Sequence, residues 1–186
     1  MKEKIYLGNT LNIWNYVMID EKYYLFDPTN GIGFCSDEKF KPRFCEVFFG
    51  TKPEYFIRSH YPQNSKWQLL NDIVSKEKFE SWPLINKFFY LQGFKTVFPD
   101  VKNIKINKDL KIKVTYNGTE NLFVSCNKFV YIGKTADFYS HKDCTISNGV
   151  ITVGFNGNEE MDGIIIYSGT KKDEQRDSIV MYNVKK

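Results

Sequence analysis

Histidine is nearly absent from this chain: His60 and His141 are the only two among 186 residues. With so little imidazole, and with four cysteines that share no Cys-x-x-Cys spacing, a zinc site would need unusual ligands. Cys35, Cys45, Cys126 and Cys144 are therefore expected as free, buried thiols in a reducing compartment rather than as disulfides. No apolar run approaches the ~20 residues of a membrane span, and residues 1–9 lack the apolar centre of a signal peptide. These absences predict a soluble, cytoplasmic protein with no membrane span. Charge of one sign is also missing as a block, since 26 Lys and Arg against 22 Asp and Glu give +4 spread along the chain. A nucleic-acid footprint needs a concentrated basic face, so nucleic acid is not expected as a partner. No repeat or low-complexity tract is visible, and nothing calls for a cofactor.

What the chain does have is apolar material: 42% hydrophobic and 17% aromatic residues, ample for a folded core. Its two halves follow different periodicities. Residues 13–27 read as strand, polar turn (Asp20-Glu21-Lys22) and strand, which is a β-hairpin with Asn12 at its mouth and Asp27 at its exit. A loop around Gly31-Ile32-Gly33 leads to a short strand at residues 45–49, and Pro53 suits the first turn of a short helix. Ser75 opens a Ser-x-x-Lys stretch that is only a weak cap. Beyond Phe98 the alternation has period two, with about seven short strands and turns at Asn117-Gly118 and Asn148-Gly149. The Asn117-Gly118-Thr119 sequon is read as a turn, and residues 171–177 as a solvated charged loop.

The hairpin carries a recognisable wording. Asn12-Ile13-Trp14-Asn15-Tyr16-Val17 and Tyr23-Tyr24-Leu25-Phe26-Asp27-Pro28-Thr29 resemble the His and Asp strands of transglutaminase-like, papain-type cysteine hydrolases. The family writes these as His-Ala-Trp-Asn-x-Val and Trp-Tyr-x-x-Asp-Pro-Thr-Trp-Gly. Downstream, Pro53-Glu54-Tyr55-Phe56-Ile57, His60-Tyr61-Pro62 and Trp67-Gln68-Leu69-Leu70 are similar to the segment after the hairpin in the kyphoscoliosis-peptidase-like branch. The resemblance covers residues 11–82 by motif and the rest by architecture. It implies an α+β fold class, namely a partial papain-like core of antiparallel β with short helices over residues 1–82, followed by an immunoglobulin-like β-sandwich over residues 83–186.

In such a hydrolase the imidazole takes the cysteine's proton and the carboxylate orients the imidazole. Asn12 stands at the histidine position and has no proton chemistry near neutrality, although its amide can hydrogen-bond Asp27. Asn30 replaces the tryptophan after Pro-Thr, and no cysteine lies upstream of Asn12 in this sequence. The resemblance thus assigns Asp27 as a vestigial triad acid and Asn12 as the occupant of the family's histidine position. Cys35 and Cys45 lie downstream without a histidine adjacent in sequence and are poor substitutes for the nucleophile. His60 falls in a structural segment, and His141 among turn residues reads as a solvated loop histidine.

Three function classes follow. The leading expectation is a catalytically inactive transglutaminase-like protein that serves as a protein-interaction or scaffold module, with unnamed protein partners. A second is part of an active cysteine protease or transglutaminase whose nucleophile comes from an upstream segment or a partner chain. A third is a ligand-binding β-sandwich using Phe129, Tyr131 and Tyr139, although alternating aromatics are more often core.

Overall fold

A computed structural model describes residues 13–185, except residues 37, 88, 91, 108–109, 119–121, 156–158 and 170–176. Antiparallel sheet dominates, with a few short helices, and the chain divides into two compact units, Met1–Phe56 and Ile57–Lys186.

In the first unit, β1 (Asn15–Ile19) and β2 (Lys22–Phe26) form the expected hairpin, in register from Asn15↔Phe26 to Ile19↔Lys22. Asp20 and Glu21 are its two loop residues, both at positive φ (48° and 60°), the twist that a two-residue hairpin requires. Lys22 belongs to the strand, so the turn is one residue shorter than the polar cluster suggests. A one-turn helix, α1 (Pro28–Gly31), follows, with Pro28 at its start. β3 (Gly33–Ser36) and β4 (Lys39–Pro42) pair with each other. The strand expected over residues 45–49 is instead a 3-10 turn at Glu46–Phe48 that leads into β5 (Phe49–Thr51), which pairs with β2. The unit closes on α2 (Pro53–Phe56), and Trp14 sets its ring edge-on to Phe56 at 5.7 Å.

The second unit begins with residues held by side-chain ties. Gln68 is buried and closes a loop on Val74, accepting from its N–H and donating to its carbonyl, each at 2.8 Å. Ser75 accepts from the Lys78 N–H and so caps α3 (Lys76–Ser81), a fuller role than its sequence context implies. Arg58 pairs with both oxygens of Asp100 at 2.9 and 3.3 Å while lying 4.0 Å from the Trp82 ring centroid. The wording that resembles a family segment therefore has a structural task here.

The remaining strands form two sheets. They are β6 (Leu84–Ile85), β7 (Phe94–Phe98), β8 (Asn103–Lys105), β9 (Ile112–Tyr116), β10 (Phe123–Ile132), β11 (Thr135–His141), β12 (Cys144–Ser147), β13 (Val150–Val153), β14 (Gly163–Gly169) and β15 (Asp177–Lys185). One sheet runs β11-β10-β14-β15-β6, with β8 parallel to β15, and the other runs β12-β13-β9-β7. Ile112, Val114, Ile151 and Val153 of the second sheet share one core with Ile164, Ile166, Val180 and Tyr182 of the first. Period-two alternation places these side chains inward, and removing them from water holds the two layers together.

Several expectations change here. Asn117-Gly118 does not make a hairpin, because β9 pairs with β7 and β13 while β10 belongs to the other sheet. Asn148-Gly149 does turn β12 into β13, both residues at positive φ. Cys126 and Cys144 are joined as a disulfide rather than free, since strands of opposite sheets bring their Cα atoms to 6.1 Å. Cys35 and Cys45 remain free. His141 is not a loop residue: it ends β11, it is buried, and its Nε2 donates to the Gly154 carbonyl at 2.7 Å. The charged loop expected at residues 171–177 falls outside the described residues, apart from Asp177 at the start of β15.

Candidate functional site: the hairpin exit

Asp27 sits where β2 leaves the hairpin, and it is fully buried, 0% exposed. Its N–H donates to the Phe48 carbonyl at 2.9 Å, and its own carbonyl accepts from Gly31 N–H at 3.0 Å. Oδ1 accepts the Asn30 N–H at 3.0 Å, and Oδ2 accepts the Asn30 side-chain Nδ2–H at 2.6 Å. A buried carboxylate needs such donors, because removing charge from water without compensation is prohibitive. The short helix α1 therefore forms because Asp27 caps it, Pro28 presets its first φ and Asn30 closes the turn.

Aromatic rings pack on the elements that flank Asp27 in the chain and in the sheet. Phe26 meets Phe49 at 6.4 Å, and Phe44 meets Phe49 at 4.7 Å. Gly31 is buried against the Phe49 ring, close enough that any β-carbon there would overlap it. The backbone of Cys45 donates to the Gly31 carbonyl at 2.8 Å, which places this buried thiol on the strand-like stretch beside α1.

Of the two residues singled out from the sequence, Asp27 is thus well defined, while Asn12 lies outside the described residues. Asn30 is the residue that sequence reading undervalued. In the sequence it stands out as a departure from tryptophan, and in the fold it supplies two donors to Asp27. The Asp-Pro-x-Asn spacing could have revealed it, since a cap side chain accepts from the residue three positions on.

The other candidates are dispersed. Cys35 is exposed on β3, Cys45 is buried, and both histidines belong to the second unit. His60 is buried with Nδ1 2.7 Å from the Ser59 hydroxyl. His141 stacks on Phe155 at 5.5 Å, with Nδ1 3.4 Å from a Glu159 oxygen that also lies 3.2 Å from Lys128. Among the described residues no three His, Cys, Asp or Glu side chains gather as a metal site. No described helix is long and apolar enough to cross a membrane. Of the three proposed ligand-face aromatics, Phe129 is buried while Tyr131 and Tyr139 are exposed, and Tyr139 alternates to the opposite side of the sheet from the other two.

Fold and site together define a β-rich protein with a buried, capped carboxylate at the exit of a hairpin. Among proteins of known identity, the chain is similar to kyphoscoliosis peptidase of Mus musculus and of Homo sapiens, 32% identical over 100 residues in each case. The match takes in 53% of this chain and 15% of each relative's length. No family model matches the chain.

Proposed function

We propose that this chain is a transglutaminase-like protein of the kyphoscoliosis-peptidase-like branch that has kept the hairpin and lost the reaction, and that it acts as a protein-interaction or scaffold module. The observation that carries this reading is Asp27, whose two carboxylate oxygens are both engaged by Asn30. A triad acid works by orienting an imidazole, and Asn30 draws both oxygens of Asp27 into a cap on α1, a structural role that stands without the reaction. Asn12 at the histidine position, which cannot shuttle a proton, supports the same reading. In this reading residues 1–82 correspond to the C-terminal part of the papain-like catalytic domain and residues 83–186 to an immunoglobulin-like sandwich. The partial similarity to kyphoscoliosis peptidase supports the family, and the two-sheet core supports the sandwich.

The test is an assay of the chain for thiol-dependent peptide hydrolysis and for transamidation of a glutamine peptide by a primary amine. The expected outcome is no turnover above background. Turnover that is blocked by a thiol alkylator and abolished in Asp27→Ala would overturn the proposal.

A further inference from the structure

Strand β11 is the outermost strand of its sheet, paired with β10 on one side and with no strand on the other among the described residues. Its seven residues, Thr135-Ala136-Asp137-Phe138-Tyr139-Ser140-His141, hold an unbroken register against β10 and contain no proline. Edges that must stay unpaired are usually short, bulged or interrupted by proline or lysine. Within its seven residues this edge has no proline, lysine or bulge, and Asp137 is its one carboxylate.

Large rings flank it in water. Phe138 is 54% exposed and Tyr131 59% exposed, and they lie 5.9 and 5.4 Å from the buried Phe129 ring. Phe129 can sink here because Gly163 on β14 has no side chain, and any β-carbon at that position would collide with its ring. The result is an apolar row on the outward side of the sheet that runs to its open edge.

We propose that β11 is the docking edge for an extended segment of another protein, which adds to the sheet antiparallel to β11. Main-chain bonds to the open edge would supply affinity, and alternate side chains would set the register. The occupant's chemistry follows from charge. Lys134 precedes the strand, Lys142 follows it and Asp137 lies within it, and none of the three has an ion-pair partner among the described residues. An incoming strand with acidic residues at both ends, a basic residue opposite Asp137 and an apolar residue opposite Phe138 complements every one of these positions. A second copy of this chain does not, because symmetric pairing about Phe138, the strand's midpoint, sets Lys134 against Lys142 at both ends. The proposal deepens the interaction reading above, yet it does not need the loss of catalysis, so turnover would sink that reading and leave strand addition standing.

The nonapeptide Glu-Thr-Val-Thr-Phe-Lys-Val-Thr-Glu is the probe. Antiparallel to β11, its end glutamates oppose Lys142 and Lys134, its phenylalanine opposes Phe138 and its lysine opposes Asp137. Fluorescence anisotropy of the labelled peptide titrated with the full chain should show saturable binding, and backbone amide shifts should centre on β11. The double variant Lys134→Glu/Lys142→Glu, at exposed sites, should weaken binding about tenfold, since two rim attractions become repulsions. A peptide with lysines at its ends should recover that loss on the double variant alone. Methylating alternate peptide amides should abolish binding. Absence of saturable binding, equal affinity in all four protein and peptide combinations, shifts centred elsewhere, or a dimer built through β11 would each overturn the proposal.

Discussion

Replacing Asp27 with alanine removes the acceptor that shapes α1. The carboxylate is 0% exposed and accepts the Asn30 N–H at 3.0 Å and the Asn30 side-chain amide at 2.6 Å. Loss of a helix cap costs about 1 kcal/mol, and loss of hydrogen bonds to a buried charge costs about 1.5–3 kcal/mol. Both figures count the same carboxylate and so do not add, and about 2–3 kcal/mol is the expected destabilisation. Asp27→Asn keeps an oxygen for the Asn30 N–H while losing the charge, and should lie about 1 kcal/mol below the parent. Asn30→Ala removes the partner, so combining it with Asp27→Ala should cost much less than the two single changes added together. Urea unfolding read by aromatic fluorescence measures this, with the m-value tracked so that only shifts in midpoint are scored as stability. Because the chain has two compact units, the transition to follow is the one reported by Trp14, the single tryptophan of the first unit, with Trp67 and Trp82 changed to phenylalanine. If Asp27→Ala lies within about 0.5 kcal/mol of the parent, a change typical of a neutral surface position, the capping account is wrong.

Two further outcomes follow from the second unit. Gly163→Ala should destabilise the β-rich unit by about 1–3 kcal/mol, because its β-carbon would meet the Phe129 ring and come within 2.5 Å of the Tyr182 carbonyl oxygen. Thermal unfolding by circular dichroism checks this, and an unchanged midpoint would show that Phe129 moves freely. Burial, and secondarily the charge of Asp100, raise the Tyr182 phenol above its usual range, with Arg58 opposing. A group raised on folding contributes stability that is complete below the unfolded value of about 10 and is lost as pH climbs beyond it. Unfolding midpoints measured from pH 8 to pH 11 should therefore fall at the alkaline end, and Tyr182→Phe should flatten that fall.

The hairpin, the helix start at Pro53 and the Asn148-Gly149 turn were legible because each depends on neighbours in sequence. Period two marks a strand, a proline presets φ, and an Asn-Gly pair tolerates the left-handed twist. The same local logic failed at Asn117-Gly118, since turn chemistry says where a chain can reverse and not which strand waits beyond. β9 finds β13 and β7 in one sheet while β10 joins the other. The 3-10 turn at Glu46–Phe48 was likewise hidden in an apolar run that reads equally well as a strand.

For the candidate site, the sequence placed Asp27 at the end of the aromatic strand, and the resemblance marked both Asp27 and Asn12 as site residues. It did not show that Asn30 binds both carboxylate oxygens, because a side-chain amide's partner is fixed by the backbone path of α1. His141 was misread for a related reason: its neighbours Ser140, Lys142 and Asp143 are polar, yet strand pairing with Cys126 turns its ring inward onto Phe155.

By itself, then, the sequence determined the local grammar of this protein. It set the hairpin with Asp27 at its exit, the period-two strands of the second half, the Asn148-Gly149 turn, and the want of imidazole and of a charge block. Only the tertiary structure decided which strands pair, that Cys126 and Cys144 meet across two sheets, that Asp27 is a buried cap, and that β11 is an edge among the described residues. The reason is one of range. Dihedral preference and periodicity act over a few residues, whereas burial and pairing depend on groups that are distant in sequence and adjacent only once the core has closed.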